Sequence, residues 1–141
     1  MSKVILGIDP GMNTGIAVFN GGLLEALHTI LPHQIENFIR SCSPGRLVFE
    51  DSRLISHIYT TNQKRAVALN MARKVGQVDA WCNLITLICS DLKVPAHGIS
   101  PLAKGAKLKA PAFARLTGWV ERSNEHERDA ATVAWKYRSA V

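Results

Sequence analysis

Three acidic residues stand where acids are costly. Asp9 ends Val4-Ile5-Leu6-Gly7-Ile8, the most apolar run of the chain, and Glu50 ends Leu47-Val48-Phe49 in the same way. Asp129 falls in a C-terminal segment with helical spacing. There His126, Asp129 or Ala130, Val133 and Tyr137 share one stripe, while Glu125, Arg128 and Lys136 point elsewhere. An imidazole and a carboxylate thus continue an apolar, core-facing side. A carboxylate in that position needs a cation or a hydrogen-bonding network. Carboxylates with a nearby imidazole make a hard, oxygen-rich donor set, suited to Mg²⁺ or Mn²⁺ rather than zinc. Two such ions about 3.5–4 Å apart can activate an attacking water and stabilise the leaving oxygen of a phosphodiester. Each acid also has an ordinary reading. Asp9-Pro10-Gly11 is good turn chemistry, Glu50-Asp51 can open a polar loop, and Asp129 can cap or pair near the positive end of its helix.

The elements that must position these residues read as mixed α/β. Val4 to Ile8 is a continuous apolar run, as expected of a strand buried on both faces. A turn over Gly11-Met12-Asn13-Thr14-Gly15 leads to a second strand, Ile16 to Phe19, and Asn20-Gly21-Gly22 is a hairpin signal before a third, Leu23 to Leu31. A short helix over Pro32 to Ser41 and a strand over Leu47 to Phe49 follow. A long helical pattern runs from about Asn62 to Ser90, with Val67, Met71, Val75, Val78, Trp81 or Cys82, Ile85 and Ile88 or Cys89 at intervals of three and four. Gly76 inside it is either a tolerated cost or a point of close helix approach, from a second subunit for example. Ala96 to Ile99 is a fifth strand, Pro111 to Thr117 a short helix, and Asn124 caps a final helix, with Glu127 at capping-box spacing. Strand ends of such sheets are where open α/β folds bind ligands.

Composition narrows the class. The chain has 141 residues, 47% hydrophobic and 20% charged, which suits one globular domain over 1–141 with a self-sufficient core. No apolar stretch is long enough for a bilayer, and the N-terminal residues lack a secretory pattern. Cys42, Cys82 and Cys89 are odd in number and without C-x-x-C spacing, which argues against a disulfide framework or zinc knuckle and for a reducing, cytoplasmic setting. Gly11 to Gly15 lacks the lysine and spacing of a Walker A loop, and no small-molecule cofactor is implied.

The net charge of +6 suggests a polyanionic partner, and its distribution sharpens that. Between Asp51 and Asp79 there is no acid, only Arg53, Lys64, Arg65, Arg73 and Lys74; between Asp91 and Glu121 there are only Lys93, Lys104, Lys107, Lys109 and Arg115. The two tracts are either solvated faces or a track for nucleic-acid backbones, in which Lys104, Lys107 and Lys109 supply affinity rather than sequence choice.

The motifs themselves bear a resemblance. GIDPGMNTGIAVF (7–19), LVFED (47–51) and NEHERDAATVAW (124–135), with LNMARKVGQVDAW (69–81) between them, resemble in order and spacing the RuvC-type Holliday junction resolvases of the RNase H-like superfamily, most nearly the shorter, phage-borne members. The resemblance implies a five-stranded mixed sheet flanked by helices, working as a homodimer in the cytoplasm of a bacterial or phage-infected cell. It implies two Mg²⁺ ions per site, with Mn²⁺ able to substitute, and paired hydrolysis of opposed strands at branched DNA, leaving 5′-phosphates and 3′-hydroxyls. Residue by residue, Asp9 would bridge both ions, Glu50 would be the second-strand ligand, and Asp129 would close the site. His126 would be a ligand or lie near the scissile phosphate, with Asp51 and Glu127 as further candidates for the metal shell. Tyr59 is the nearest match to an aromatic that inserts at the crossover. Arg53, Lys64, Arg65, Lys104, Lys107, Lys109 and Arg115 would contact DNA. The alternatives are a YqgF-type nuclease acting in RNA processing and a non-catalytic module that binds branched DNA.

Overall fold

The computed structural model describes residues 2–55 and 64–139. Its framework is a five-stranded sheet: β1 (Val4–Asp9), β2 (Thr14–Asn20), β3 (Leu23–Ile30), β4 (Arg46–Glu50) and β5 (Ala96–Ile99). The order across the sheet is β3-β2-β1-β4-β5. β1, β2 and β3 pair antiparallel as a meander, whereas β1, β4 and β5 run parallel. The expected mixed sheet is therefore present. Four helices flank it: α1 (Ile35–Cys42), α2 (Arg65–Leu92), α3 (Ala110–Thr117) and α4 (Glu125–Ala134).

Side chains alternate across each strand, and this sorts the core into two layers. Leu6, Ile8, Ile16, Val18, Leu47 and Phe49 face α1 and α2, where they meet Ile35, Ile39, Cys82, Ile85, Ile88 and Cys89. Ile5, Ala17, Phe19 and Val48 face the other way, onto Phe113 of α3 and Ala130, Ala131, Val133 and Ala134 of α4. Cys82 and Cys89 thus serve as small core hydrophobes, and all three thiols are free. The same alternation sets the acids. Asp9 follows Ile5 and Gly7 on the α4 face, and Glu50 follows Val48 on that face.

Two glycines allow α4 to lie close against the sheet. A Cβ on Gly7 would stand 2.3 Å from the carbonyl oxygen of Ala130, and one on Gly15 would stand 2.0 Å from that of His126. Only a residue without a side chain leaves room for the helix backbone there. The alanines of α4 complete the close approach, which brings Asp129 down to the end of β1.

Several boundaries differ from the sequence reading. The helix expected over Pro32 to Ser41 is a 3₁₀ turn at Pro32–Gln34 and then α1, because Pro32 starts the turn and Ser43 ends the helix in a left-handed conformation. The final helix stops at Ala134 and tightens into a 3₁₀ turn over Trp135–Tyr137, so Tyr137 is not on the α4 stripe. The long helix reaches Leu92, but its early apolar positions are not core. Val67 is 46% exposed, and no residue of α2 before Cys82 is buried. The reason is length. A helix of 28 residues spans about 42 Å, far more than the strands beneath it. A Cβ on Gly76 would meet nothing within 4 Å beyond its own helix backbone among the described residues. Among the described residues no helix is long and apolar enough to cross a membrane.

Candidate active site

Asp9 and Glu50 end the adjacent parallel strands β1 and β4, which pair in register up to Ile8 and Phe49. Neighbouring strands lie about 4.8 Å apart, so two carboxylates on one face of one edge are necessarily close. Asp129, on the second turn of α4, comes over the same edge and is only 5% exposed. The three acids meet. The consequence is electrostatic: the Asp9 carboxyl is pushed from its ordinary 3.8 up to about 7. Burial is the main cause, the charges of Glu50 and Asp129 add to it, and so does a hydrogen bond to Glu50; Lys104 opposes the rise.

Among the described residues, Lys104 is the one cation deep in this cluster. Its Nζ lies 2.8 Å from Oε2 of Glu50 and 3.7 Å from Oδ2 of Asp129, and its side chain is 8% exposed. The sequence reading placed it among surface contacts to DNA; the fold turns it inward instead. A signal was there, since Lys104 follows closely on the end of β5, the strand beside Glu50. Lys107 sits further out, 3.4 Å from Oδ2 of Asp129 and paired with Glu125 at the surface. His126 lies at the mouth of the site. Its ring is half exposed, with Nδ1 3.8 Å from Oδ2 of Asp9, so it borders the acids rather than joining the buried stripe.

Two other acids considered for the metal shell are engaged elsewhere. Asp51 is buried, yet it points away from Glu50 and takes a forked pair of hydrogen bonds from Arg53, Nε to Oδ1 and Nη2 to Oδ2, both 2.8 Å. That guanidinium holds the Asp51 carboxyl below the usual carboxylate range and continues onto Asn83 and Thr86 of α2. Ser52 adds a 2.5 Å hydrogen bond to Asp79. Neither Ser52 nor Asp79 was singled out from sequence, because partners 27 residues apart leave no local pattern. Glu127 closes the capping box with Asn124 and accepts from Thr29 on β3.

The remaining cations do not converge on the acids. Arg53 is committed to Asp51 and α2; Lys64 and Arg65 are exposed at the start of α2; Lys109 and Arg115 are exposed at and along α3. Tyr59 lies outside the described residues.

No protein-family model matches the chain, and no curated protein matches it either. Solved structures do. RuvC of Thermus thermophilus in complex with a Holliday junction substrate superposes with a TM-score of 0.65 and 18% identity, covering 95% of this chain and 91% of that one. A further Thermus thermophilus RuvC structure gives 0.64 and 17%, covering 95% and 92%. The chain has the RuvC fold. It is an RNase H-like arrangement, as the motifs implied.

The donor chemistry fits a hard divalent ion. Three carboxylates share one sheet edge, Asp129 buried and Asp9 and Glu50 partly so, and burial together with the charges of the other two raises the Asp9 carboxyl. Among the described residues, however, no three His, Cys, Asp or Glu side chains are drawn around one point as ligands of a single ion. Lys104 stands between Glu50 and Asp129 instead.

Proposed function

We propose that the chain is a metal-dependent, structure-selective endonuclease that hydrolyses phosphodiesters in four-way junctions and other branched DNA. In this reading it acts as a homodimer, one site per opposed strand, and leaves 5′-phosphate and 3′-hydroxyl ends. The observation that carries the proposal is the meeting of Asp9, Glu50 and Asp129 at one sheet edge of a RuvC fold. Kinship with the shorter, phage-borne resolvases belongs to the same proposal and rests on the motifs alone.

Asp9, Glu50 and Asp129 would hold the ions, two per site and Mg²⁺ or Mn²⁺ by donor type. Bound there, such ions supply an activated water and charge stabilisation for the leaving oxygen. The chain's own residues do the rest. Asp9 feels the charges of both other acids and takes part in a hydrogen bond with Glu50. His126, half exposed at its mouth, stands where an incoming phosphate would pass and can hold or donate a proton there. Lys107, Lys109, Arg115, Lys64 and Arg65 are outward-facing cations that would attract DNA backbones, each neutralised phosphate steepening the salt dependence by about −0.9 in slope.

One observation favours a second reading, a non-catalytic module for branched DNA: Lys104 already supplies a cation to two of the three acids. The two readings separate on incubation with a labelled four-way junction, a fork and linear duplex, each in Mg²⁺, Mn²⁺ or EDTA. The nuclease cuts branched substrates only with metal. Junction binding that ignores EDTA, with no cleavage in either metal, would establish the module instead.

A further inference from the structure

Lys104 differs from every other lysine of its tract. Lys107 and Lys109 are exposed, as a phosphate-tracking side chain should be, whereas the Lys104 side chain is 8% exposed and directed at Glu50 and Asp129. It is not fixed by regular structure. It follows a single 3₁₀ turn over Pro101–Ala103, capped by Ser100, and precedes Gly105, whose φ of 85° marks a bend in the connector. Lys104 also lines a cavity of about 180 Å³, together with Ile99, Ser100, Val133, Lys136 and Tyr137. The Lys104 residue therefore borders two places: the acids its ammonium now bridges, and a hollow of mixed lining.

We propose that Lys104 is an internal counter-cation that occupies the acid site in the absence of divalent ions and must leave Glu50 and Asp129 for those ions to bind. The inference rests on the nuclease reading and concerns how that site is loaded. Its physical basis is simple. Glu50 Oε2 cannot take an ammonium at 2.8 Å and a divalent ion in the same place, and two cations a few ångströms apart repel strongly in a poorly solvated setting. The arrangement holds three neighbouring carboxylates together without metal, at the expense of metal affinity. The connector lies outside helix and strand, so the side chain can turn from the acids without breaking either.

The test is metal binding itself, measured with Mn²⁺ by electron paramagnetic resonance and by calorimetric titration, without DNA. Lys104→Met keeps the length of the stem and removes the charge. It is expected to bind Mn²⁺ on the order of tenfold more tightly than the unaltered protein. Its melting temperature should fall in EDTA and recover in saturating Mn²⁺. Lys104→Arg keeps the charge and should bind no more tightly than the unaltered protein, while Lys107→Met should change affinity far less than Lys104→Met. Unchanged or weaker binding by Lys104→Met, with melting lowered equally with and without metal, would overturn the proposal and leave Lys104 a structural ion-pair partner. If the unaltered protein binds Mn²⁺ and cuts junctions while Lys104→Met gains nothing, only the counter-cation role fails. If neither protein binds Mn²⁺, both the role and the nuclease reading fail. Binding by Lys104→Met alone supports the role in its strongest form.

Discussion

Glu50 and Asp51 are consecutive residues with opposite fates. Asp51 faces α2, where Arg53 grips both its oxygens and Asn83 and Thr86 hold Arg53 in turn. Its charge is fully answered by its own surroundings. Glu50 faces α4 with Asp9 and Asp129, and the three share one buried ammonium. One residue past the end of β4, a carboxylate gripped by its own arginine follows one that shares an ammonium with Asp129. The lesson is that burial alone does not mark a site. Burial with too few counter-charges does.

Substituting the two neighbours should separate their roles most sharply. Glu50→Gln is expected to lower cleavage of a four-way junction by about a thousandfold or more while leaving the melting temperature unchanged or raised, since it relieves repulsion. Asp51→Asn should do the reverse, losing about 1–3 kcal/mol of stability in urea unfolding but keeping cleavage at temperatures where the protein is folded. Matching activity losses for the two would erase the distinction.

The close approach of α4 is the next point to break. Gly7→Ala places a methyl against the Ala130 carbonyl, with Ala134 also in the way. A loss of about 1–3 kcal/mol in denaturant unfolding is expected, with a further loss of cleavage as Asp129 is pushed from the edge. An unaffected variant would show that α4 can ride outward without consequence.

These contrasts also explain what sequence could and could not convey. The apolar runs ending in Asp9 and Glu50 were legible because a continuous apolar run marks a strand buried on both faces, and the capping box of α4 was legible because its partners are three residues apart. The position of Lys104 was not, because it depends on how a connector with no periodicity folds back over the sheet. The Arg53–Asp51 fork misled in the same way, since an arginine in an acid-free tract gives no sign that it will turn back on its own loop. His126 shared a stripe with Asp129 by spacing, but it lies on the first turn of α4, where the helix overhangs the sheet edge.

A smaller effect lies in pH. The folded-state Asp9 carboxyl sits near 7 against an ordinary 3.8, so between those values the folded protein binds the proton more tightly than the unfolded chain does. Stability in EDTA should therefore fall as pH rises from about 4 through 7. Asp9→Asn should flatten that fall in calorimetric scans, by about 2–4 °C in melting temperature for each kcal/mol regained. Asp51, held low by Arg53, carries the opposite sign: its contribution is present above the ordinary carboxylate value and is lost as pH drops through its lowered one. Parallel profiles for Asp9→Asn and Asp51→Asn would contradict the contrast.

The proposed function makes the shared acid edge a metal-dependent catalytic site. Its most direct test is single-turnover cleavage of an end-labelled four-way junction in Mg²⁺ by the unaltered protein and by Asp9→Asn, with junction binding measured in parallel. The expected result is cleavage by the unaltered protein alone, with both proteins binding the junction. Equal cleavage by both, or none by either in Mg²⁺ or Mn²⁺, would contradict it.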